Sequence, residues 1–115
     1  MERKVYYSRL LDFYGGLLPE KQQACMFQYY YDDLSLAEVS ENLGITRQGV
    51  RDCLKRGEAA LEKAENELKL VEKDDEKRRQ RAEIAEKLSA LAEELPEKVA
   101  KRVRALVESI KAMDV

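Results

Sequence analysis

Three observations predict an all-α fold. Apolar residues recur at spacings of three and four along most of the chain. Sustained apolar/polar alternation between turn residues is absent. Charge is abundant while chain-breaking residues are scarce: 38% of the 115 residues are charged and 44% hydrophobic, against five glycines and two prolines. That balance supplies a core and long solvated helical faces, and the length suits one small domain with an appendage. Lys and Arg number 21 and Asp and Glu 23, a formal net charge of −2, which argues against a strong non-specific nucleic-acid binder, a class that is usually basic.

Composition excludes several chemistries. The two cysteines, Cys25 and Cys53, stand without histidine or CxxC spacing, whereas a zinc site takes about four ligands. Free thiols in a reducing compartment are expected, with no metal and no cofactor. Without histidine, a general base at neutral pH needs a strongly shifted carboxylate, lysine or thiolate. Gly15-Gly16 lacks the spacing and the Lys-Ser/Thr of a phosphate-binding loop. No catalytic residue is therefore expected. No signal peptide or membrane-length apolar run is present, so a cytoplasmic protein without membrane insertion is expected.

The first helix is predicted over 1–14, with Val5, Tyr6, Leu10, Phe13 and Tyr14 as its apolar face and Gly15-Gly16 as its end. Pro19 in Leu17–Gln22 opens the second, since proline suits a first helical turn and Glu20 suits the positive end of the helix dipole. Ala24, Phe27, Tyr30 and Tyr31 form its expected inward face, with Met26 beside them. The run Tyr29–Tyr31 resembles a base-stacking platform in composition, but tyrosines at helical spacing read as core packing with wet hydroxyls. Asp32-Asp33 makes a short acidic connection.

Ser35 to Arg56, SLAEVSENLGITRQGVRDCLKR, reads as a helix-turn-helix. Ser35 and Glu38 form a capping box, and Leu36, Val39 and Leu43 give one apolar face. The small Ser40 permits close backbone approach. Gly44 suits the left-handed helix stop, Ile45 plugs the turn, and Thr46 caps a second helix starting at Arg47. Val50, Cys53 and Leu54 face inward, which leaves Arg47, Gln48, Arg51, Asp52 and Lys55 outward. From Arg47 to Arg56 there are four cations against the single carboxylate of Asp52.

LLPEKQ, then a helix ending in YYYDDLSLAEVSENLGITRQGVRDCLKRGEAALEK, resembles the fourth conserved region of bacterial sigma factors, whose helix-turn-helix reads a promoter element. The chain is closer still to the YlxM family, small bacterial proteins similar to this sigma region but lacking the other sigma domains; MERKVYYSRLLDFYGGLLPEKQ fits that family. The likeness spans roughly residues 1–73. It implies DNA binding and regulation, and a link to the signal recognition particle, whose genes neighbour those of the family. By the same resemblance Arg47, Gln48 and Arg51 match the positions that touch DNA in sigma region 4, with Lys55 and Arg56 at later basic positions. Gln suits adenine and Arg suits guanine; the alternative is an ordinary solvated face.

Beyond Leu54 the second motif helix continues. Leu54, Leu61 and Leu68, with Gly57, Ala64 and Val71 three residues after each, keep a seven-residue repeat, and Gly57 is a candidate bend. The run EKDDEKRRQR (72–81) admits a solvated helical bridge, a break or a basic arm, and Asp74 can cap a new helix, which places a break near Lys73–Asp75. Ile84, Leu88, Leu91 and Leu95 form an amphipathic stripe; Pro96 marks a turn; Val99, Val103, Leu106, Ile110 and Met113 form another. The expected organisation is a helix-turn-helix domain over 1–73 and a helical extension over 74–115 that packs or pairs one copy with another as a homodimer. The function expected is a DNA-binding regulator linked to the signal recognition particle pathway. The alternative is a protein- or RNA-binding adaptor of that pathway that does not read DNA.

Overall fold

The computed structural model describes residues 2–113, and the apolar periodicities become helices throughout. In order these are α1 (Arg3–Tyr14), a 3-10 turn (Gly15–Leu17), α2 (Glu20–Tyr30), α3 (Leu36–Leu43), α4 (Arg47–Leu68), α5 (Leu70–Ala92) and α6 (Glu97–Ala112). No strand occurs among the described residues. They fall into two compact units divided between Val71 and Glu72. The expected start of the first helix at Met1 lies outside the described residues.

In the first unit, α4 is the element on which α1, α2 and α3 pack. The buried face of α1 is Tyr7, Leu10, Leu11 and Tyr14, while Val5 and Phe13, expected inside, are 48% and 39% exposed. Tyrosine explains this rotation. The Tyr7 hydroxyl donates to Glu62 Oε1 at 2.8 Å and the Tyr14 hydroxyl to Glu65 Oε1 at 2.5 Å. Arg3 Nη2 donates to Glu58 Oε1 at 2.7 Å. Each ring is buried while its polar tip is satisfied on α4, so a hydropathy pattern that favours Val and Phe chooses the wrong face.

On α2 the inward residues are Cys25, Met26 and Tyr30, with Ala24 and Phe27 half-buried and Tyr31 exposed. The expected face is thus turned so that Met26 sits at its centre. Gly57 is the reason. A Cβ there would lie 2.8 Å from Met26 Sδ, so the glycine is a seat for the thioether rather than a bend, and α4 runs through it unbroken. The tyrosine run packs as core and rim. Tyr30 donates to Glu58 Oε1 at 3.2 Å and Tyr31 to Asp12 Oδ1 at 2.6 Å. Tyr31 also stacks on Phe27 with ring centroids 5.1 Å apart.

Leu54, Gly57, Leu61 and Val71 of the seven-residue repeat are buried in this core, and Leu68 is exposed. The chain breaks at Lys69, whose φ of 56° is left-handed, rather than near Lys73–Asp75. Asp74 does not start a helix: it lies inside α5 and pairs with Arg78 at 2.9 Å. A tertiary cap replaces the local one. Leu70 N donates to the Tyr14 hydroxyl and Val71 N to Glu65 Oε1, both at 3.0 Å. Two orphan donors of the new helix are thereby met four residues before any Asp is available. The charged run 72–81 is solvated helix.

In the second unit α5 and α6 form an antiparallel hairpin around the turn at Glu93–Pro96, with Arg81 Nη1 donating to Met113 O at 3.2 Å. The seam is made of small residues: Ala85, Ala92, Ala100 and Val107 are buried. Leu88, Leu95, Val103 and Ile110 are half-buried. No described helix is long and apolar enough to cross a membrane.

Candidate nucleic-acid interface

Local chemistry fixes the helix-turn-helix at both helix starts. Ser35 Oγ accepts from Glu38 N at 3.1 Å, and Glu38 Oε1 accepts from Ser35 N at 3.0 Å. The backbone N–H of Ser35 is the main reason the Glu38 carboxyl is held below its ordinary range, with the Ser35 hydroxyl second. Gly44 closes α3 in the left-handed region at φ 66°, a conformation costing a residue with Cβ about 1 kcal/mol. Ser40 Oγ donates to Ile45 O across the turn. Thr46 Oγ1 accepts from Gly49 N at 2.9 Å and starts α4. Val39 and Val50 are fully buried where the two helices meet.

Arg47, Gln48, Arg51, Lys55 and Arg56 are all exposed. Among the described residues the side chains of Arg47, Arg51, Lys55 and Arg56 make no ion pair or hydrogen bond. At about 100° per residue, Arg47, Arg51, Lys55 and Gln48 lie within one arc of α4, and Arg56 lies around the helix from them. Arg56 instead lines a groove of about 580 Å³ together with Lys21, Ala24, Leu43, Ile45 and Cys53. Ile45, expected to plug the turn, is 40% exposed at this groove. Gln48 is engaged: its Nε2 donates to Asp52 Oδ1 at 3.0 Å. The i,i+4 spacing of the pair was a visible signal for that bond.

The charge of α4 changes sign along one side. Arg47, Arg51 and Lys55 precede Glu58, Glu62 and Glu65 on nearly the same helical stripe. The cations face solvent, whereas the carboxylates accept from Arg3, Tyr7 and Tyr14 of α1. On this stripe, therefore, the unpaired positive charge lies over the first three turns of α4. That is the part a helix-turn-helix presents to a major groove, where the N-terminal residues of its second helix reach base edges. The carboxylate anchors, invisible to apolar periodicity, tie the later turns of α4 to α1.

The thiols form a separate feature below the site. Cys25 Sγ lies 3.8 Å from Val50 O and Cys53 Sγ 3.9 Å from Lys21 O, so each thiol reaches backbone on the other's helix. Burial, and then the neighbouring Cys53, push the Cys25 thiol up to about 12. Both cysteines are free and Cys25 is inert as a nucleophile at neutral pH.

Comparison with known proteins agrees with this geometry. The family model UPF0122, described as "Putative helix-turn-helix protein, YlxM / p13 like", matches residues 1–104. UPF0122 proteins of Bacillus mycoides (strain KBAB4), Bacillus thuringiensis (strain Al Hakam) and Bacillus cereus (strain 03BB102) are each 40% identical over 114 residues, covering 99% of this chain and 99% of the relative. A capped pair of short helices closed by a left-handed glycine, together with likeness over essentially the whole length, places the chain in a family: it belongs to the YlxM / p13-like helix-turn-helix proteins.

Proposed function

We propose that the protein is a cytoplasmic DNA-binding regulator whose α4 N-terminus enters the major groove. The observation that carries this is the set of exposed cations Arg47, Arg51 and Lys55, unpartnered among the described residues, on the arc that the motif turns outward. Arg47 and Arg51 reach base edges, Gln48 exchanges its bond with Asp52 for an adenine, and Lys55 and Arg56 meet phosphates. We assign the chain no catalytic role. A chain of net charge −2 that neutralises about two phosphates, through Lys55 and Arg56, gains its affinity at low salt and loses it as salt rises, with a log–log slope near −2.

Selection from random DNA and RNA pools on the purified protein at defined salt tests this. Enrichment of a DNA motif is expected. Arg47→Ala and Arg51→Ala should each cost about 1–3 kcal/mol on that motif and relax it at one position, while Lys55→Ala weakens all sequences and reduces the salt slope by about one. Equal binding by the double Arg variant would exclude readout by α4.

A second reading is an adaptor of the signal recognition particle pathway, in which the helix-turn-helix is a scaffold. The groove beside Ile45 and Cys53 supports a protein contact there. Enrichment of RNA alone, or recovery of particle components that is lost in Ile45→Glu at the groove, would favour it over DNA binding.

A further inference from the structure

Of the apolar stripes in the chain, the one on α4 is consumed by its own core, with Leu54 and Leu61 7% and 1% exposed. The stripes on α5 and α6 are not. We infer that a second copy of this chain docks on them, so that two α5–α6 hairpins close into a four-helix bundle.

The seam residues show how the face arises. Immediately before Ala85, Ala92, Ala100 and Val107 stand Ile84, Leu91, Val99 and Leu106, exposed by 52%, 49%, 42% and 62%. Immediately after them stand Glu86, Glu93, Lys101 and Glu108, all exposed and all charged. In an antiparallel pair, equal offsets from the seam on the two helices fall on the same side of the hairpin. One side is therefore continuously apolar and the other continuously charged. Met113, 63% exposed, extends the apolar side by a further heptad step from Leu106.

The extent of this side selects its occupant. The five large side chains offer on the order of 500 Å² of apolar surface per chain, at the upper end of what a monomer exposes. A stable interface buries about 800 Å² per partner, of which somewhat more than half is apolar, or roughly 450 Å². The match leaves a charged rim to supply the remainder. A single foreign helix would cover the groove between the stripes and leave one stripe wet. A second hairpin has the same width and length, and a two-fold axis sets identical stripes against each other. The alanine seam keeps each hairpin thin enough for the large residues of both copies to interdigitate as knobs into holes. This inference is independent of the DNA reading.

Light scattering and sedimentation equilibrium of the full chain across a wide dilution series provide the test. The wild type is expected at twice its chain mass. Leu91→Glu with Leu106→Glu is expected to halve the mass while far-UV circular dichroism keeps its helical content. Both substitutions are at exposed positions. Should the variant lose helix, hydrogen exchange of the wild type decides instead: amides of residues 84–112 should exchange more slowly as concentration rises. A wild type that stays monomeric, a dimer that survives both substitutions, or exchange independent of concentration overturns the proposal; the first leaves a foreign partner as the occupant.

Discussion

The two units solve the same problem, holding helices together, with opposite materials. The first fills its seams with large side chains: Leu10, Tyr14, Met26 and Leu61 are essentially inaccessible, and Met26 enters where Gly57 leaves room. The second places alanine on its seam, half-buries Leu88 and Leu95, and leaves Leu91 and Leu106 outside. Burial of a leucine is worth about 2–3 kcal/mol and of an alanine far less. The first unit thus buries its large apolar side chains within its own seams, and the second leaves Ile84, Leu91, Val99, Leu106 and Met113 exposed. The difference separates internal packing from exposed apolar surface: the first unit orients the outward cations of α4, and the second offers an apolar face.

The largest effect should come from breaking the first core. Leu10→Ala, at a site with no exposure, is expected to cost about 3–4 kcal/mol in denaturant unfolding. Leu106→Ala, at 62% exposure, should cost under about 0.5 kcal/mol in dilute protein. A comparable loss from both would mean that the outer stripe of α6 is buried within the monomer, and the contrast between the units would fail.

Tyrosine supplies a pH dependence that belongs to the first unit alone, because all six tyrosines lie between Tyr6 and Tyr31. Burial, followed by the hydrogen bond to Glu62, pushes Tyr7 up to about 12. Burial likewise raises Tyr6, Tyr14, Tyr30 and Tyr31. A folded-state value above the unfolded one, about 10, means the stabilisation is complete below about pH 10 and is lost as pH climbs toward 12. Unfolding midpoints followed by tyrosine fluorescence should hold to about pH 9 and then fall, with a shallower fall in Tyr7→Phe. A flat profile to pH 12 would remove the tyrosine-to-glutamate contacts from the account of how α1 holds α4.

A smaller loss isolates one member of that set. Tyr14→Phe keeps the buried ring but leaves Leu70 N without its acceptor and takes a donor from Glu65. A cost of about 1–2 kcal/mol is expected, with faster hydrogen exchange at Leu70 and Val71. Loss of stability without faster exchange there would assign the hydroxyl a role other than capping α5.

How legible was this architecture? The helix-turn-helix could be read nearly residue by residue because its determinants are local: a capping box, a glycine stop and a threonine cap act within four residues. The outward cations followed from the same register. Misplaced features depended on partners distant in sequence. Val5 and Phe13 outrank Tyr7 in hydropathy, yet Tyr7 is inside because Glu62 lies opposite its hydroxyl. Gly57 looked like a flaw in a helix until Met26 was seen to occupy its missing Cβ. In the hairpin the leucine stripes were visible, but which side of them met the other helix was set by the alanines between. The groove beside Ile45 had no signature in the pattern, being formed from α2, α3 and α4 together.

The smallest effect sharpens the contrast between a stop encoded locally and one imposed by packing. Gly44 and Lys69 both end helices in the left-handed region, at φ 66° and 56°. Glycine adopts that conformation freely, whereas lysine is strained there by about 1 kcal/mol. What holds Lys69 is the tertiary cap beyond it, from Tyr14 and Glu65. Lys69→Gly should therefore raise stability by about 0.5 kcal/mol, the relief of strain being partly offset by the freer unfolded chain. Gly44→Lys should lower it by about 1 kcal/mol. The two midpoint shifts should be opposite in sign and, in Tyr14→Phe, the gain at Lys69 should persist, since backbone strain is local while the cap is not. A loss of stability in Lys69→Gly would mean that its side-chain contacts outweigh the strain of its backbone.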